Sequence, residues 1–127
     1  MKERRMPQAG LMHIGELAER TELSLRSIRH YDEVGLLKPA GRTEGGFRLY
    51  TEDDFDRLML IRRMKPLGFS LEEMADLLRV IDTGADAAAI EHFIDQTVER
   101  RAKLQRQLEM ADEFLALLRS RLDEPLH

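Results

Sequence analysis

The 127-residue sequence contains no cysteine, which excludes disulfides and thiolate metal sites. No apolar run approaches the roughly 20 residues that a membrane-spanning helix needs. The opening MKERRMPQAG is charged but is followed by no apolar stretch, so it is not a secretory signal. The four histidines, His13, His30, His92 and His127, are scattered, with no i, i+4 pair of the kind that grips a metal. Met6, Met12, Met59, Met64, Met74 and Met110 read as core and tail residues rather than as a soft-metal site. The sequence carries no carboxylate–histidine or nucleophile–base constellation, and no glycine-rich phosphate loop ahead of a helix. Internal repeats and low-complexity segments are also missing. These absences lead us to expect a cytoplasmic protein that is not an enzyme and needs neither cofactor nor metal.

Charge is scarce in the direction that would announce a nucleic-acid partner, since the net formal charge is −4. Division of the chain changes that reading. Residues 1–70 hold 13 Lys/Arg against 11 Asp/Glu, and residues 71–127 hold 7 against 13, so +2 and −6 make up the −4. The basic excess is small, but phosphate contacts act within about a Debye length of 8–10 Å, so local clustering matters more than the total.

The stretch from Ser24 to Tyr50, SLRSIRHYDEVGLLKPAGRTEGGFRLY, concentrates the informative residues. Ser24 is an oxygen-bearing N-cap. Leu25, Ile28 and Tyr31 recur at helical spacing, and Gly35 supplies a left-handed C-cap position. Arg26 and Arg29 lie one helical step apart with His30 beside them, so they share a sector away from the apolar row. Pro39 then stops the helix. Gly41, Gly45 and Gly46 punctuate the following segment, and Phe47-Arg48-Leu49-Tyr50 alternates as a strand does. The pattern predicts a capped helix followed by a glycine-tipped hairpin that carries Arg42 and Arg48.

Upstream, His13 to Thr21 supplies a preceding helix with Gly15 able to cap its start and Ile14, Leu17 and Ala18 on its apolar face. Downstream, Thr51 caps a helix whose first turn is acidic and whose stripe is Phe55, Leu58, Ile61 and Met64. Pro66 should distort its last turn. Ser70-Leu71-Glu72-Glu73 is a capping box; it opens a helix with Leu71, Met74, Ala75, Leu77, Leu78 and Ile81 facing inward, closed by Asp82-Thr83-Gly84. From about Asp86 to Leu122 there is no breaker. Steps of four and three from Ile90 give Ile94, Thr97, Arg101, Leu104, Leu108, Ala111, Leu115, Leu118 and Leu122, a heptad seam that Thr97 and Arg101 interrupt. Such a helix would reach about 55 Å, too long for a small domain to cover, and must pack on another copy or a partner.

Taken together, IGELAERT, LSLRSIRHYDEVGLLKP, R…GGFRLYTEDD and LGFSLEEMADLL resemble the MerR-type transcription regulators in order and spacing, continuously from Met12 to about Ile81. The resemblance implies a mostly α protein: a winged helix-turn-helix with a small β-hairpin wing, then a long C-terminal helix forming an antiparallel coiled coil in a homodimer. The implied organisation is a flexible tail over 1–12, a DNA-binding domain over 13–82, a dimerisation helix over 83–122 and a C-terminal tail over 123–127. The implied function is sequence-specific regulation at a palindromic promoter. The partners would be double-stranded promoter DNA and, indirectly, RNA polymerase, whose two recognition elements such regulators align by bending and untwisting an overlong spacer.

Candidate DNA contacts are Arg26, Ser27, Arg29, His30, Tyr31, Arg42, Arg48 and Tyr50. For Arg26 and Arg29 the alternative is a solvated helix face. For Tyr31 a phosphate contact, implied by resemblance, stands against a half-buried core position. Ordinary hairpin solvation is the alternative for Arg42 and Arg48. His30 stands where many relatives carry an aromatic. Glu22 occupies a turn where many have glycine, and a left-handed backbone there would cost on the order of 1 kcal/mol. The dimer seam is assigned to Ile90, Ile94, Leu104, Leu108, Ala111, Leu115, Leu118 and Leu122. Arg100, Arg101, Lys103 and Arg106 read as the solvated face of that coil. A coiled-coil interaction adaptor and an effector-independent architectural DNA-binding protein are the alternatives to a promoter regulator.

Overall fold

A computed structural model describes residues 10–38, 40–84 and 87–124. Four of the expectations above lie outside the described residues: the tail over 1–9 (Met6 included), Pro39 as a helix stop, Asp86 as the start of the long helix, and residues 125–127 with His127. The chain divides into two compact units after Gly84.

The first unit begins with helix α1 (Ile14–Thr21) and helix α2 (Leu25–Glu33). Gly15 does not cap α1; His13 occupies the N-cap position in extended backbone, makes no side-chain cap bond, and leaves Gly15 inside the first turn. Between the helices Glu22 adopts the left-handed conformation, φ 60 and ψ 29. Its carboxylate is held 2.8 Å from Arg62, a surface pair that adds little stability. Thr21 is fully buried and turns its hydroxyl back to the Leu17 carbonyl at 2.8 Å. Ser24 caps α2 by accepting from the Ser27 N–H at 3.0 Å. At the other end Gly35 has φ 87, and the Leu36 N–H returns to the Tyr31 carbonyl at 2.9 Å.

A hairpin follows, strand β1 (Gly41–Arg42) antiparallel to strand β2 (Arg48–Leu49), with Arg42 opposite Arg48. Its turn is closed by the Thr43 N–H donating to Phe47 O and by the Gly46 N–H donating to Thr43 O. Gly46 has φ 86, a value that only glycine takes without strain.

Helix α3 (Glu52–Met64) starts in a reciprocal capping box, Thr51 with Asp54. Pro66 ends the α-helical hydrogen bonding at Met64 and forces the 3₁₀ turn Lys65–Leu67, after which Gly68 turns left-handed. Helix α4 (Leu71–Asp82) opens in the predicted box of Ser70 and Glu73. The core consists of Met12, Leu17, Ile28, Tyr31, Leu36, Leu37, Tyr50, Leu58, Ile61, Met64, Phe69, Met74 and Leu78. Two expectations need correction. Met12, placed in the flexible tail, is buried and forms a backbone bridge with Tyr50, N to O at 2.9 Å and O to N at 2.8 Å; its neighbours in sequence gave no sign of a pairing partner so far along the chain. Leu71 and Ile81, expected inward, are exposed in this unit, because α4 buries only the narrower face of Met74 and Leu78.

The second unit is a single helix, α5 (Ala87–Asp123), 37 residues long and about 55 Å at the standard rise. None of its residues is buried within the protomer. Ile90, Ile94, Leu104, Leu108, Leu115, Leu118 and Leu122 are exposed large apolar residues, and Ala111 is exposed among them. Thr97, which interrupts the seam, has its hydroxyl satisfied by the Phe93 carbonyl one turn back at 2.7 Å. Met110, Phe114 and Leu117 are exposed as well and follow a second helical row, so the apolar surface is wider than a two-residue-per-heptad seam.

Candidate nucleic-acid interface

The site grows from two local elements. The apolar row of α2 is fixed by burial of Ile28 and Tyr31, which turns Arg26, Arg29 and His30 to the exposed side. Among the described residues, neither Arg26 nor Arg29 has a hydrogen-bond or ion-pair partner. Ser27 sits in the first turn with its hydroxyl accepting from Ser24 Oγ at 3.0 Å. Tyr31 is only 3% exposed, so the core reading of that residue describes this structure; its ring lies 5.7 Å from that of His30.

The wing supplies the second wall. Arg42 is exposed and donates from Nη1 to the Gly46 carbonyl at 2.6 Å, a bond that braces the turn and leaves the rest of the guanidinium outward. His13, Arg29, Asp32, Arg42, Phe47 and Arg48 are among the residues lining a groove of about 690 Å³ between α2 and the hairpin. Recognition-helix and wing cations thus share one concave surface. Phe47 went unnoticed in the sequence. It is 69% exposed at the wing tip, and the alternation gave no signal of it, since positions two apart share a face and would have placed Phe47 with the half-buried Leu49.

Arg48 and Tyr50, expected to contact DNA, both reach the carboxylate of Asp32. Arg48 Nη2 donates to Asp32 Oδ1 at 2.8 Å, and its Nε lies 2.7 Å from Asp32 Oδ2. The second contact is ionic, because the Nε–H direction does not meet hydrogen-bond geometry. The Tyr50 hydroxyl donates to the same Oδ2 at 3.1 Å. Burial first, then the nearby Asp32 charge and this hydrogen bond, hold the Tyr50 hydroxyl above its ordinary pKa, so it stays a donor. Sequence reasoning did not find Asp32, because its partners lie 16 and 18 residues away.

A second carboxylate network supports the loop between α2 and the wing. Asp54, with no exposed surface, accepts from the Lys38 N–H at 2.7 Å and the Thr51 N–H at 3.1 Å. Asp82, the last residue of α4, lies 2.9 Å from Lys38 Nζ and 2.7 Å from Arg57 Nη1. The nearly buried Arg57 also donates from Nε to the Leu36 carbonyl at 2.8 Å. Lys38 and Arg57 hold the Asp82 carboxyl below the usual carboxylate range against a desolvation that pushes the other way. Among the described residues no group of three or more histidine and carboxylate side chains is arranged to hold a metal ion, and no helix is long and apolar enough to cross a membrane.

Comparison with known proteins agrees with this architecture. The family profile described as "MerR HTH family regulatory protein" matches residues 12–80, and that described as "MerR, DNA binding" matches residues 55–124. The mercuric resistance operon regulatory protein of Bacillus cereus is 40% identical over 96 residues, which cover 76% of this chain and 71% of that protein. The regulator ZntR of Escherichia coli K12 is 47% identical over 70 residues, covering 55% of this chain and 50% of that protein. Among solved structures, a MerR family transcriptional regulator from Bacillus cereus superposes with a TM-score of 0.67 at 32% identity, covering 92% of this chain and 87% of its own. HiNmlR, a MerR family regulator lacking the sensor domain and bound to promoter DNA, gives a TM-score of 0.68 at 26% identity, covering 91% and 97%. The chain belongs to the MerR family and is a DNA-binding transcription regulator of the winged helix-turn-helix type.

Proposed function

We propose that the protein acts as a homodimer on a palindromic promoter, reading double-stranded DNA with α2 and the wing and distorting the spacer so that RNA polymerase finds its two elements aligned. It has no enzymatic role and works in the cytoplasm. The observation that carries the reading is that Arg29, without a partner among the described residues, lines the same groove as the exposed Arg42, while Arg26 is exposed on the same helix. Cations left without protein partners on a concave face are suited to phosphates and to guanine edges. On this reading Arg29 reads a base, and Arg26, Ser27 and His30 add contacts to the duplex from the same helix. Tyr31, buried as it is, supports the helix from below. The dimer follows from α5, whose exposed leucines and isoleucines would bury about 1.5–3 kcal/mol each against a second copy.

Several relatives carry names that refer to heavy metals, the mercuric resistance regulator among them. The chain has no cysteine to supply thiolate ligands, and HiNmlR shows that a family member lacking the sensor domain can be found on promoter DNA. The first of these favours a regulator whose action does not depend on a thiolate-bound metal. Genome-wide capture of DNA bound by the protein tests the function. It should return a palindrome lying between the polymerase elements in an overlong spacer, and Arg29→Ala should lose about 1–3 kcal/mol on it and relax one position per half-site. Recovery of no common sequence, or of sites wholly upstream of both elements, would favour an adaptor or simple occlusion instead.

A further inference from the structure

The hairpin has too little structure of its own to hold a fixed pose. Each strand is two residues long, and a lone two-stranded hairpin is marginal in water. Its tip aromatic is solvent-facing and adds no core. Yet a reader must present Arg42 and Arg29 to the duplex at one spacing, or it loses register between the grooves.

We propose that Asp32 is the positioning residue that locks the wing to the recognition helix, with Arg48 and Tyr50 as its two arms rather than as DNA contacts. The inference rests on the DNA-reading role given above. Asp32 sits in the last turn of the helix that carries Arg26 and Arg29, and its side chain is only 9% exposed. A carboxylate lining a DNA-facing groove would repel phosphates unless neutralised, and Arg48 neutralises it. The Arg48 guanidinium reaches both oxygens, one through the Nη2 hydrogen bond and one through the ionic contact at Nε, so the wing is tied to the helix at two points. Tyr50 holds the second side of the carboxylate, and its own backbone is tied on both N and O to Met12, so the arm cannot swing. The register of the hairpin then divides the labour. Arg42 and Arg48 are opposite one another; the charge of Arg48 is consumed inside, and that of Arg42 remains outside.

The alternatives differ in sign. If Arg48 holds a phosphate, Asp32→Asn frees a cation and removes a repelling charge, so operator binding tightens and its salt dependence steepens. If Asp32 is the lock, the same isosteric change weakens binding.

The experiment is fluorescence anisotropy titration of the captured operator and a scrambled duplex, over a salt series, with the parent, Asp32→Asn, Arg48→Gln and the double variant. Each single change should weaken operator binding about tenfold, the loss expected for one charged hydrogen-bonded pair. The double variant should be no worse than either, and the salt slope should be parental throughout. Tighter binding by Asp32→Asn, or a slope reduced by about 0.9 per lost phosphate contact in Arg48→Gln, would overturn the assignment. Thermal melting shows whether each variant is folded at the assay temperature. Should Asp32→Asn not be, Tyr50→Phe decides: weaker binding at the parental slope supports the lock, and parental binding refutes it. A parent that does not prefer operator to scrambled duplex overturns the reading role itself, and the lock with it.

Discussion

Replacing Asp54 should produce a graded loss of stability whose order is set by counting hydrogen bonds. The Asp54 carboxylate has no exposed surface, accepts from two backbone N–H groups and, among the described residues, receives nothing from side chains. One of the two bonds closes the capping box of α3, and the other holds Lys38 at the entrance to the wing. Asp54→Ala leaves both donors without acceptors in a part-buried place, at about 1–3 kcal/mol each, so the total cost is about 2–6 kcal/mol. Asp54→Asn keeps one amide oxygen and points an NH₂ at the other donor, so it should cost about 1–3 kcal/mol. Thr51→Ala removes only the reciprocal bond to the Asp54 N–H and should cost about 1 kcal/mol. Urea unfolding at one fixed protomer concentration, followed by far-ultraviolet circular dichroism, gives the three values. Asp54→Asn as stable as the parent would refute the reasoning, because an amide cannot serve both donors.

Two further outcomes can be checked directly. Leu108→Glu, which places a charge at the centre of the α5 seam, should give monomeric or unfolded protein in light scattering, and a folded monomer in the unmutated chain would remove the dimer from the proposal. Asp82 has a carboxyl whose pKa is depressed in the folded state by Lys38 and Arg57; its contribution is therefore present above the unfolded value near 3.9 and lost as pH falls below it through the folded value. Unfolding measured from pH 5 downward should show a slope that Asp82→Asn flattens in that acid window, with the variant and parent parallel at higher pH.

What the sequence disclosed, and what it withheld, follows the range of the forces. Ser24, Thr51 and Ser70 were legible as caps because an N-cap bond spans three residues, and Gly35 marked left-handed backbone for an equally local reason. Pro66 ended a helix where its missing N–H said it must. Glu22 shows the limit of residue type as a signal: its left-handed φ of 60 is a demand of the turn between two packed helices, which tertiary burial of Leu17, Thr21 and Ile28 enforces. Gly15 misled for the same reason, since extended backbone at His13 begins the helix two positions earlier than a Gly15 cap would, without a side-chain cap. The cations of the site were found because they lie on one exposed helical sector. The carboxylates that organise it were missed, because Asp32, Asp54 and Asp82 each find partners 16 residues or more along the chain, and no periodicity encodes such pairs. The seam of α5 was visible because it repeats.

The bridge between Met12 and Tyr50 has a consequence for how the reading head comes into being. Its two backbone hydrogen bonds close a loop that contains α1, α2 and the whole wing. Helix pairing within that loop is local and can form in microseconds, whereas joining its ends requires closing roughly 38 residues, an entropic cost of about 3 kcal/mol before any constant is added. Among the contacts of the reading head, this bridge is therefore one of the costlier to close. Because Tyr50 makes that bridge through its backbone and reaches Asp32 through its hydroxyl, the docking of the segment before α1 and the setting of the wing depend on one residue.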